Sequence, residues 1–129
     1  MTASITALYS ALAALLLIYL SFRVVGLRRR HQVGVGTAGH ADLERAVRVQ
    51  ANFTEYVPLA LLLMLLLESG GLPVWGLHLY GGALIAARLL HAFGLGQSSG
   101  ATPGRVAGTA MTWLLLAAGA LLLLAGDFL

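Results

Sequence analysis

Arg45, Arg48, Asn52 and Glu55 stand at helical spacing inside an apolar segment of the chain. At about 100° per residue they fall within an arc of roughly 80° on one helix face, and about 15 Å of helix separates the first from the last. Charged groups at membrane depth are costly unless they are paired or face a cavity, so such a stripe reads first as a functional site. Its chemistry is specific. Arg forks bind carboxylates bidentately, a lone carboxylate suits an ammonium, and an Asn amide suits a peptide group or a thiol. The set describes half of a pocket for an anionic ligand that also carries an amine, and its length matches a tripeptide better than a single amino acid. Two plainer readings stand beside this one. Arg45, close to the helix start, also suits a headgroup anchor with a snorkelling stem. Glu55 also suits a structural ion pair with an Arg of a neighbouring helix, which would itself need shelter from lipid.

The rest of the chain must supply a membrane setting for that face. Of 129 residues, 59% are hydrophobic and 10% charged, too apolar a balance for a soluble domain of this length. The net charge of +3 rests on Arg alone. With so few charges this suggests Arg at membrane boundaries or in a polar site, and no nucleic-acid partner. Cysteine is absent, which excludes disulfides, thiolate metal sites and a cysteine nucleophile; any sulfur chemistry must arrive with a ligand.

Four apolar spans are expected, at about residues 5–25, 43–67, 74–93 and 103–125, forming one all-α domain. The first lacks a positive n-region and a small-residue cleavage site, which argues against a removable signal peptide. Asp42 is placed to cap the second, and Pro58 should kink it unless neighbours satisfy the freed carbonyl. Gly70, Gly71 and Pro73 break the chain before the third span, and a Gly/Ser-rich loop at 94–100 follows it. Thr102 and Pro103 read as N-cap and first residue of the fourth. Short connections imply an antiparallel four-helix bundle integral to the membrane. Arg28, Arg29 and Arg30 follow the first span, Arg45 and Arg48 lie across the same loop, and Arg105 flanks the loop between spans three and four. The connection at 68–73 and both termini carry no basic residue, so both termini should face away from the cytoplasm.

Arg88 on the third helix and Arg105 on the fourth enter from the same side as the stripe and add to its positive charge. The four histidines, His31, His40, His78 and His91, share no ligand spacing, and no metal site is expected. Gly104 and Gly108 form a small-xxx-small pair that reads as close helix packing.

The run R-A-V-R-V-Q-A-N-F-T-E-Y-V-P, Arg45 to Pro58, closely resembles the second-helix signature of the MAPEG proteins, membrane-associated proteins in eicosanoid and glutathione metabolism. It is most similar to the form found in microsomal glutathione transferases and leukotriene C synthase-type members. The stretch A-R-L-L-H-A-F-G, Ala87 to Gly94, resembles the family's third-helix segment, with His91 where members carry His or Tyr; S-F-R-V-V-G-L-R-R, Ser21 to Arg29, fits the first-loop segment. The resemblance implies a homotrimer that binds glutathione between subunits, open to the cytoplasm, in a bacterial inner membrane. It implies glutathione-binding roles for Arg48, Asn52, Glu55 and Tyr56, with Gln50 and Arg28 reaching the ligand from a neighbouring subunit. It makes Arg105 the thiolate-stabilising residue. Arg45, Arg88 and His91 complete the candidate set, although His91 suits a packed or interfacial histidine as well. Leu95 departs from the pattern of many eukaryotic members, which place a Tyr there, and the long C-terminal extension of some members is missing.

The implied activity is conjugation of glutathione to a lipophilic electrophile, with hydroperoxide reduction as a related outcome of the same thiolate. A non-catalytic membrane protein that binds glutathione or lipid is the alternative. A small transporter or channel subunit would also explain buried charge, but it would place polar residues at the midplane of several helices, and helices one and four offer few.

Overall fold

The computed structural model describes residues 2–94 and 102–126. Four helices, α1 (Ser4–His31), α2 (Ala41–Ser69), α3 (Val74–Phe93) and α4 (Pro103–Ala125), form an all-α antiparallel bundle. Leu95 and most of the Gly/Ser-rich loop lie outside the described residues.

The helices are packed as a ring in which α1 meets α2, α2 meets α4, α4 meets α3 and α3 returns to α1; α2 and α3 also touch across the centre. Small residues allow that approach. A side chain at Gly108 would put its Cβ 2.6 Å from the Ala87 carbonyl oxygen and 2.7 Å from the His91 nitrogen, so α3 and α4 meet backbone to backbone. This is the close packing expected of the Gly104/Gly108 pair.

The apolar pattern is that of a membrane protein. Leu15, Phe22, Leu79, Leu114 and Leu124 are exposed on the outer faces, while the core is a column of Phe53, Val57, Ala60, Met64, Leu77 and Leu84. Helices α1, α2 and α4 are long and apolar enough to cross a membrane, with mean hydropathies of 2.0, 1.4 and 1.9. Helix α3 falls short of them because it carries Arg88 and two histidines. Arg88 is only 1% exposed, so the residue that most lowers its hydropathy never meets lipid.

Several boundaries differ from expectation. Helix α1 continues to His31, so Arg28 to Arg30 occupy its last turn rather than a loop. Asp42 is not the N-cap of α2, although its Oδ1 accepts the Leu43 amide of the first turn at 2.8 Å. That helix begins at Ala41 with His40 as N-cap, and the Asp42 carboxylate lies inside the first turn, 2.9 Å from His31 Nε2. Helix α2 runs on through Pro58 to Ser69. Thr102 does cap α4: its Oγ1 accepts the Arg105 amide at 3.3 Å, with Pro103 in the first turn.

Helix α1 has no cap of its own, and α2 supplies one. Glu68 accepts the amides of Ile5 and Thr6 at 2.9 and 2.7 Å, placing a carboxylate on the positive end of α1. Glu68→Ala should therefore cost about 1–2 kcal/mol, read as a lower Tm in detergent. Ser69→Ala, which loses only a hydroxyl bonded within its own helix, should leave Tm unchanged. Equal Tm values for both variants would contradict the capping role.

Candidate functional site

Four element ends converge where the Arg-rich segments lie: the last turns of α1 and α3 and the first turns of α2 and α4. The Thr102 cap fixes the start of α4 and so places Arg105 in its first turn. The glycine contact then brings that turn against His91 on α3. Across from it, α2 presents Arg48 and Asn52.

The result is a cleft of about 200 Å³ lined by Arg48, Val49, Asn52, His91 and Arg105. Three residues of the candidate stripe thus have a defined place. Arg48 and Asn52 line the cleft, and Glu55 pairs with Arg48 at 3.7 Å. The fourth, Arg45, sits deeper toward the loops. It lines a water-sized cavity of about 20 Å³ with Arg23, His91, Thr102 and Arg105. Asn52 Oδ1 is buried and has no hydrogen-bond partner among the described residues. A buried carbonyl without a donor is costly, and a ligand N–H or S–H would relieve that cost.

Arg88 lies behind this cleft rather than in its wall. Its guanidinium donates to Thr112 Oγ1 at 3.3 Å, approaches His91 Nδ1 at 3.5 Å and stands over the Phe53 ring at 5.7 Å; Nε has no partner among the described residues. Among the described residues no carboxylate pairs with it. Arg has only donors to offer, so His91 Nδ1 must accept and Nε2 carries the ring proton. The cleft therefore combines two Arg side chains at its wall, a third cation behind it and an imidazole held as a donor. That is an environment for an anion.

The remaining candidates are placed elsewhere. Gln50 donates to Ser21 Oγ at 2.8 Å, in the α1–α2 contact and away from the cleft. Arg28 turns back onto its own loop and donates to Gly36 O at 2.8 Å and Val33 O at 3.3 Å. Tyr56 meets Trp113 of α4 edge to face, with ring centroids 6.3 Å apart. An apolar groove of about 320 Å³ runs from Arg105 along Val106, Thr109, Ala110 and Trp113, joining the cationic end of α4 to the membrane-facing surface.

Sequence reasoning missed Arg23. It lines the small cavity beside Arg45, and its guanidinium stacks over Phe93 at 5.7 Å. The signal was present: a charged residue inside the first apolar span is the same anomaly that singled out the stripe on α2. The stacked pair His31 and His40, 3.9 Å between ring centroids, left no such trace, because eight intervening residues of loop bring the rings together.

The MAPEG family profile matches residues 6–125, nearly the whole bundle. The inner membrane protein YecN of Escherichia coli strain K12 is 43% identical over 90 residues, covering 70% of this chain and 69% of YecN. YecN of Escherichia coli O6:H1 matches to the same extent. No solved structure matches the chain. An integral four-helix bundle, its Arg-lined cleft and a family match spanning all four helices lead to one assignment: the chain belongs to the MAPEG family.

Proposed function

We propose that this protein is a membrane glutathione transferase that binds glutathione in the cleft of Arg48, Asn52, His91 and Arg105 and favours its thiolate. The observation that carries this reading is the unpartnered Asn52 Oδ1, buried beside that cationic lining. The donor set fits glutathione, whose two carboxylates match Arg forks, whose amine matches Glu55 and whose amides match Asn52.

Glutathione, when bound, supplies a thiol nucleophile. What the chain adds is charge and position. A free thiol has a pKa near about 8.5, so only a few per cent is thiolate at neutral pH. Lowering it by about two units takes roughly 2.7 kcal/mol of preferential thiolate stabilisation. Arg105 and the His91 Nε2–H are the groups placed to provide it, with the close α3–α4 contact at Gly108 setting the first turn of α4 beside His91. The groove along Val106 and Trp113 suits entry of a lipophilic electrophile or hydroperoxide from the bilayer.

A homotrimer belongs to the same proposal. Arg48 and Glu55 are 62% and 47% exposed on the flank of a membrane-spanning helix, where lipid would be an unfavourable neighbour. A second copy packed on this face would cover the pair and complete the cleft; the number three comes from the family. Gln50 and Arg28, which the cleft of one chain does not contain, would reach a ligand only from such a neighbour. The proposed setting is the bacterial inner membrane, as in the name of YecN, with the cleft facing the cytoplasm on the Arg-rich side.

The test is conjugation of glutathione to a general aromatic electrophile by purified protein, run beside glutathione-binding calorimetry. Binding with turnover supports the transferase. Binding without turnover would move the assignment to a non-catalytic glutathione-binding or scaffold protein, and neither would overturn both.

A further inference from the structure

On the outer side of the Arg-rich end, α1 and α2 enclose a second cleft of about 420 Å³, lined by Phe22, Arg23, Gly26, Leu27, Arg30, Asp42 and Arg45. Its occupant need not be glutathione, because Arg48, Asn52 and His91 take no part in it. Three Arg face one carboxylate here. Both oxygens of that carboxylate are engaged by His31 Nε2, at 3.0 and 2.9 Å. Neither Arg23 nor Arg30 forms an ion pair among the described residues. Arg23 instead stands over the Phe93 ring, 5.7 Å from its centroid. The cleft therefore has a net positive charge.

Its other wall is apolar. Phe22, 70% exposed, lies about two helical turns further into the membrane span than Arg30, and the half-buried Leu27 lies within one turn of it. Gly26 forms the floor between them, and a Cβ built there would meet nothing within 4 Å. Cationic groups at the headgroup level, continuous with apolar side chains below, match a molecule with a phosphate head and acyl tails. We propose that this α1–α2 cleft is a binding site for the phosphate-bearing headgroup of an anionic phospholipid, with Arg23, Arg30 and Arg45 as its cationic wall.

Diffuse attraction of a basic helix end to anionic lipid would use every exposed Arg alike; a built cleft would not. Arg29 is exposed on the same turn as Arg30 and lines no part of the cleft, so it serves as the control. Gly26→Leu keeps every charge and adds apolar bulk at a lining position where a Cβ meets nothing within 4 Å. The measurement is native mass spectrometry of the protein in detergent, titrated with phosphatidylglycerol and, in parallel, with phosphatidylcholine. The full chain should retain phosphatidylglycerol preferentially. Arg30→Ala and Gly26→Leu should each reduce that retention roughly fivefold, and Arg29→Ala should not. Equal losses in Arg29→Ala and Arg30→Ala, with Gly26→Leu unchanged, would overturn the site. Displacement of the lipid by millimolar inorganic phosphate would reassign the cleft to a free phosphate and overturn the lipid proposal. Circular dichroism of Gly26→Leu confirms its fold, and should that variant be misfolded the Arg29/Arg30 comparison decides alone.

Discussion

Arg105→Ala is expected to lower kcat for glutathione conjugation by about 100-fold while weakening glutathione binding only a few-fold. The reasoning rests on when the contact strengthens. An Arg beside the thiol gains most when the sulfur becomes negative, so its loss is felt in the reacting complex rather than in the ground state. Arg48 and Glu55 form a 3.7 Å pair at the rim of the cleft and should behave in the opposite way. Arg48→Ala and Glu55→Gln should raise the Kd for glutathione by roughly tenfold and leave kcat within a few-fold, because groups that hold carboxylate and amine do so equally before and during reaction. Steady-state kinetics with calorimetry on the three variants separates the roles. If all three weakened binding to the same degree with kcat untouched, the catalytic assignment of Arg105 would be wrong.

The second large effect concerns Arg88, and it should run in opposite directions for stability and activity. A guanidinium 1% exposed, with a 3.3 Å bond to Thr112, a 3.5 Å approach to His91 and an unpartnered Nε, leaves much of its desolvation cost uncompensated. Arg88→Met keeps most of the volume and removes the buried charge. It should match or exceed the parent in stability, by about 1–3 kcal/mol on the precedent of buried ion replacements, seen as an equal or higher Tm in detergent. The same change frees His91 from its fixed tautomer and removes a cation from behind the cleft. We expect kcat/KM for glutathione to fall about tenfold. A gain in stability at the expense of function is the mark of a residue retained for its site. A large drop in Tm with unaltered kinetics would make Arg88 a structural residue instead.

How much of this was legible in the sequence follows from the physics of each signal. The bundle was legible because apolar runs of span length and an Arg bias at one end are strong patterns. Thr102 and Pro103 marked the start of α4 because capping is local chemistry, carried by adjacent residues. Asp42 was legible only in part: its carboxylate does take a first-turn amide, that of Leu43, but the helix begins one residue earlier and the same carboxylate also meets His31, eleven positions before it. The Glu68 cap of α1 could not be read, since it joins residues 62 and 63 positions apart.

Within the site, helical periodicity correctly put Arg48, Asn52 and Glu55 on one flank, because all three belong to one helix. It could not separate Arg45 from them, since the small cavity that Arg45 lines is built by α1, α3 and the start of α4. Arg88 and Arg105 were both seen as added charge. Only the approach of α4 to α3 through Gly108 shows that Arg105 lines the cleft while Arg88 stands behind it. Arg23 went unread because it was absorbed into an apolar span, although its charge was visible.

The central claim is that the cleft holds glutathione as a thiolate, and the thiolate itself can be observed. Ultraviolet absorbance of the thiolate, titrated against pH with glutathione bound to the purified protein, reads the protonation state at the sulfur directly. The apparent thiol pKa should be about 6.5, two units below the free value, and should return toward about 8.5 in Arg105→Ala. Titration of bound glutathione at the free value in the unaltered protein would contradict it.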